Sequence, residues 1–129
     1  MNNREVYLMG RINEESVNKA RERILELWEA DQSKEITLFI CSSGGAGNPA
    51  IAFYEWVKLK NIPLVTVAIG EVSSSAIIIF LSGQKRKATQ HSWFMVHPGG
   101  HLTYEIQRKV LRILAPPTLS RKYRVVADI

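Results

Sequence analysis

The chain has 129 residues, enough for one domain that buries roughly two-thirds of its unfolded surface. Its 46% apolar and 22% charged residues match a soluble globular protein and exclude a disordered or fibrous one. A net charge of +5 raises nucleic acid or an anionic membrane as partners, but the basic residues do not gather as an interface requires, and neither is expected.

Lys85, Arg86 and Lys87 form the only basic triplet, while Arg108, Lys109, Arg112, Arg121, Lys122 and Arg124 read as a solvated helix face and tail. Cys41 is the sole cysteine, so no internal disulfide forms and a reducing, cytoplasmic setting is expected. The polar start, Met1-Asn2-Asn3-Arg4, lacks the charged-then-apolar order of a secretory signal. The longest apolar run, Ala76 to Leu81, falls far short of the about 20 residues of a membrane helix.

In chain order, Glu5 to Met9 is a short β-prone run ended by Gly10. Glu15 to Ala30 places Val17, Ala20, Ile24 and Trp28 at helical spacing, with Leu25 and Leu27 widening the stripe. Asn13 stands just ahead as its cap, which puts the helix start near Glu14. Ile36 to Ile40 reads as a strand covered on both faces and runs into the turn Cys41-Ser42-Ser43-Gly44-Gly45-Ala46-Gly47. A second helix is predicted from about Pro49 to Lys58, with proline where its missing N–H costs nothing, and Asn61 to Pro63 breaks it.

Leu64 to Ile69 is the third predicted strand, closed by Gly70. Ser73 to Leu81 is apolar nearly all round, and the serines at its start and Gly83 after its end favour a short buried helix. A strand at Trp93 to Val96 leads into His97-Pro98-Gly99-Gly100. Tyr104 to Leu114 is the last predicted helix, stopped by Pro116-Pro117, and the remaining dozen residues show no clear periodicity. The alternation of strands and helices implies an α/β domain with parallel pairing and right-handed crossovers. In such sheets ligands sit at the carboxyl ends of strands, where three of these strands carry Gly-, Ser- or His-rich turns.

Each turn has two readings. Gly44-Gly45 is either an ordinary turn or a place where backbone N–H groups approach a ligand, as an oxyanion hole needs. It is no dinucleotide fingerprint, since the spacing is wrong. Ser73-Ser74-Ser75 either caps the following helix or exposes a nucleophile at a strand-to-helix turn, without the G-x-S-x-G of α/β-hydrolases. His97 is a general base or a structural histidine; with His91 and His101 it would make a metal set only against the intervening Pro98-Gly99-Gly100, which excludes a helical pair. No metal and no cofactor are expected.

Taken together, the three turns resemble the proteolytic subunit of the Clp protease. Glu5 to Gly10 is similar to that family's first strand. Ile40 to Gly45 resembles its Ser-Pro-Gly-Gly loop with Ser43 in place of the proline. Gly70 to Ala76 resembles its Gly-x-x-x-Ser segment, and Phe94 to Pro98 its strand-end histidine motif. The likeness covers about residues 4–114 of a single domain spanning 1–129, with 115–129 an atypical tail. It implies the ClpP/crotonase-like fold of repeated β-β-α and βα units on a mostly parallel sheet.

The resemblance further implies a serine endopeptidase that cuts unfolded polypeptides to short peptides. Ser74 would be the nucleophile, His97 the base, and the N–H groups of Gly45 and Ser75 the oxyanion hole. It implies a homo-oligomeric ring fed by an AAA+ unfoldase. Two departures stand against the pattern. The family's triad aspartate has no counterpart in a matching motif, since only Glu105 and Asp128 are acidic after His97, which leaves Asp128 as the candidate. The family's N-terminal pore segment also has no counterpart ahead of Glu5, which bears on dependence on the unfoldase. The alternatives are a catalytically impaired Clp-like subunit acting in assembly, a crotonase-type acyl-CoA enzyme that would not use Ser74, and a Ser-Lys peptidase with Lys58 or Lys85 as base.

Overall fold

The computed structural model describes residues 3–96 and the backbone of 124–127. His97, His101, the predicted helix Tyr104–Leu114, the proline pair that stops it, and Asp128 lie outside the described residues.

The first strand, β1 (Glu5–Met9), alternates exposed and buried residues and drives Val6 and Leu8 into the core. Helix α1 (Glu14–Ala30) starts where predicted. Asn13 accepts from the Ser16 N–H at 2.8 Å and the Ser16 hydroxyl accepts from the Asn13 N–H at 3.0 Å, a reciprocal cap that satisfies two donors a helix start otherwise orphans. Val17, Ala20, Ile24 and Leu27 form its buried stripe. The other end lacks a basic residue in its last turn, and Arg4 supplies one from outside. Its guanidinium donates to the carbonyls of Leu27, Asp31, Lys34 and Glu35 at 2.9–3.1 Å.

Strand β2 (Ile36–Ser42) buries Ile36, Leu38, Ile40 and Ser42, while the residues between them are half-buried. The expectation of cover on both faces is therefore not met among the described residues. The helices lie over one face, and on the other Tyr7 (55% exposed) stacks on Phe39 at 5.0 Å beside Met9 (52% exposed). Helix α2 (Gly47–Lys60) ends at Asn61, whose left-handed backbone caps it.

Strand β3 (Leu64–Ser73) runs four residues past the predicted end, continuing through Gly70 at φ +65°. It pairs with β2 from Leu64 to Ala68 and again at Val72 opposite Ser42, so β3 carries extra residues around Gly70. That bulge divides its other edge. The first half pairs with β4 (Lys85–Ala88) and the second with β5 (Trp93–Val96), the two being joined by a turn in which Thr89 donates to the Ala68 carbonyl. Strand β6 (Arg124–Ala127) pairs with β5.

Neither β4 nor β6 is among the predicted elements. Lys85-Arg86-Lys87 stands out in the sequence only as a basic triplet, and four residues are too few for alternation to show. Among the described residues every pairing is parallel, as the alternation of elements implied. Between β3 and β4 lies α3 (Ser75–Phe80), buried at every position and packed against α2, β2 and β3. Among the described residues no helix is long and apolar enough to cross a membrane.

Candidate functional site

The carboxyl ends of β2 and β3 meet. Past Ser42 the chain turns through Gly44 at φ +103° and Gly45 at φ +151°. Ile12 pins this turn from both sides, donating to the Gly44 carbonyl at 3.0 Å and accepting from the Ala46 N–H at 2.8 Å. The Gly44 N–H is used by the Ser42 hydroxyl at 3.0 Å. Of the three successive N–H groups, that of Gly45 alone has no partner among the described residues, and Gly45 is exposed. A side chain at Gly45 would collide with the Ile12 carbonyl oxygen, so the turn passes there only as glycine.

Gly44 rests against the second turn. A Cβ on it would fall 2.8 Å from Ser74 Cβ, 2.9 Å from the Ser73 carbonyl oxygen and 3.4 Å from Ser74 Oγ. The absence of a side chain at Gly44 is what lets the β2 turn and the Ser74 turn touch.

Ser74 has φ +54° and ψ −127°, a conformation that L-residues rarely adopt and that costs on the order of 1–3 kcal/mol. It persists because both backbone groups are held. The Ser74 N–H donates to the Met95 carbonyl at 2.9 Å, and its own carbonyl accepts from the Ile77 N–H at 3.0 Å. The sequence left open whether the serines cap α3. Ser74 occupies the cap position and makes no side-chain cap bond. Ser73 donates instead to the Glu71 carboxylate at 2.9 Å, and the Ser75 hydroxyl has no partner. The capping reading therefore fails at each of the three. Ser74 is half-buried and its hydroxyl takes part in no hydrogen bond among the described residues.

The site thus brings together Gly44, Gly45, Ser74 and Ser75. His97 and Asp128 lie outside the described residues, although β5, which leads to His97, is tied to the Ser74 turn through Met95. Glu71 is a neighbour that sequence reasoning did not single out; the i, i+2 spacing to Ser73 on a strand was the available signal. No three His, Cys, Asp or Glu side chains converge as a metal site among the described residues. A groove of about 500 Å³ between α1 and α2 is lined by other residues, among them Glu14, Arg21, Phe53 and Trp56.

Comparisons with known proteins bear on the family and the fold. The family model for Clp protease matches residues 1–122. The ATP-dependent Clp protease proteolytic subunit of Pleurastrum terricola is 34% identical over 89% of this chain and 67% of its own length. Proteolytic subunit 1 of Rhodopirellula baltica is 30% identical over 67% of this chain and 38% of its own length. Among solved structures, ClpP1 from Listeria monocytogenes superposes with a TM-score of 0.70 at 26% identity, covering 85% of this chain and 65% of that one. The chain therefore spans from 38% to 67% of the length of these relatives.

Proposed function

Because the chain belongs to the Clp protease family, we propose that it is a serine endopeptidase acting on unfolded polypeptide, with Ser74 as nucleophile. The observation that carries this reading is the strained, hydrogen-bonded Ser74 backbone presenting a hydroxyl that bonds to none of the described residues. A serine held at such cost, with no side-chain bond among the described residues, is arranged for chemistry.

In the proposed reaction Ser74 Oγ attacks the scissile carbonyl carbon, forming a C–O bond while its proton passes to His97. The tetrahedral intermediate places its negative oxygen toward the N–H groups of Gly45 and Ser75. The first has no partner among the described residues, and the second is the first N–H of α3, without an intrahelical acceptor. Collapse breaks the C–N bond, the amine leaves with the proton from His97, and water then hydrolyses the acyl-serine by the same route. For the orienting carboxylate we take Asp128. The last described pair of β5 and β6 is Val96 with Ala127, and the next residues in sequence are His97 and Asp128.

The apolar sheet face bearing Tyr7, Phe39 and Met9 is uncovered among the described residues, which supports assembly with further chains: a ring of copies and an AAA+ unfoldase. One cysteine in the sequence fits a cytoplasmic setting.

The test is labelling of the native chain with a fluorophosphonate, with mass spectrometry to locate the adduct. Modification of Ser74 that is lost in His97→Ala and on unfolding supports the reading. A folded chain that takes no adduct overturns it and leaves the catalytically impaired assembly subunit in its place.

A further inference from the structure

Six polar residues are buried among the described residues: Ser42, Thr66, Ser73, Ser75, Ser82 and Ser92. Five of their hydroxyls have partners. Ser42 accepts from the Gly44 N–H, Thr66 donates to the Phe80 carbonyl at 2.6 Å, and Ser73 donates to Glu71. Ser82 donates to the Ile79 carbonyl at 2.6 Å and Ser92 to the Thr89 carbonyl at 2.7 Å. Ser75, 4% exposed, is the exception: its Oγ has no hydrogen-bond partner among the described residues. The rest of α3 is apolar, so alanine at this position would be as helical and leave nothing unpaired.

We infer that the Ser75 hydroxyl is a further donor to the oxyanion formed at Ser74, an assignment that rests on Ser74 being the nucleophile. Ser75 follows Ser74 directly, and its own N–H is one of the two backbone donors assigned above. A serine turns its O–H toward an acceptor of its own N–H by rotation about the Cα–Cβ bond alone. In the free chain that acceptor does not exist, and the hydroxyl is sealed from solvent without a partner. Attack at Ser74 creates the acceptor, a negatively charged oxygen that hydrogen-bonds more strongly than any neutral group nearby. No bond to hydrogen is broken in this step: Ser75 keeps its proton throughout.

The inference separates from the general reading by kinetics on Ser75→Ala, Ser75→Cys and Ser75→Thr beside the wild type, each checked for folding by thermal unfolding. Rates of fluorophosphonate labelling at Ser74, and kcat and KM on a fluorogenic peptide, are measured for all four. Ser75→Ala is expected to melt at or above the wild-type temperature, to label at least about tenfold more slowly, and to lose kcat with little change in KM. Ser75→Cys, near in size but a weak donor, is expected to share the defect, and Ser75→Thr to recover most of the rate. Alanine and cysteine variants that label as fast as a labelled wild type overturn the role of Ser75 and leave Ser74 standing. A wild type that takes no label overturns both.

Discussion

Gly44 and Ser74 touch across two turns 30 residues apart in sequence, with no room between them for the Cβ that any other residue would place 2.8 Å from Ser74 Cβ. The close approach sets the glycine turn directly against the serine turn. Gly44→Ala is expected to push the two apart, at a backbone angle already unfavourable to alanine. We expect destabilisation by about 1–3 kcal/mol and loss of most Ser74 labelling in protein that still folds. Urea unfolding and labelling on one preparation check both.

Ser74 itself carries strain that glycine would not. Ser74→Gly is expected to raise the unfolding free energy by about 1 kcal/mol while abolishing the adduct. Ser74→Ala, which keeps the strain and loses the hydroxyl, should give no such gain. Equal stability for the two variants in a denaturant titration would show that the φ of +54° costs little.

Arg4 closes α1 from 23 to 31 residues away through four carbonyl oxygens, at the negative end of a helix with no basic residue of its own in the last turn. Arg4→Met keeps the apolar stem and removes the donors. A loss of about 1–3 kcal/mol is expected, with faster amide exchange concentrated at 28–35.

Asp31, at the end of α1, is held below the usual carboxylate range, chiefly by the Ser33 hydroxyl and then by the Ser33 N–H. A folded-state value below the unfolded one means that its stabilising contribution is complete above the ordinary aspartate pKa. That contribution is lost as pH falls through the depressed value. Ser33→Ala is expected to move the Asp31 titration upward, as followed by carboxyl NMR shifts, to lower stability above the ordinary aspartate pKa and to flatten its fall with acid. An unmoved titration would assign the shift to another partner.

How far the sequence reveals this fold depends on the residue. The stripe Val17, Ala20, Ile24 with its Asn13 cap is local information, and the helix starts where that information puts it. The turns at Gly44 and Gly70 were also visible, because glycines punctuate apolar runs. Continuation of β3 beyond Gly70 was not: a glycine that ends a strand and one that bulges it look alike until the neighbouring strand fixes the register. Strand β4 was hidden for a similar reason, since Lys85 and Lys87 are exposed on a strand defined by its pairing with β3. At the candidate site, three serines in a row marked the strand-to-helix turn without distinguishing a cap from a proposed nucleophile. The distinction lies in the Ser74 dihedrals and in side-chain bonds that composition does not encode.

Parallel pairing sets an order in time as well as in space. β1 meets β2 only after α1 has been made, and β3 receives β5 only after β4 has been made. As the chain leaves the ribosome, the Ser74 amide therefore waits for Met95, more than twenty residues behind it, before its turn is held. A nascent chain shorter than that has the serine without the backbone that poses it. The same connectivity that builds the proposed nucleophile also delays its completion.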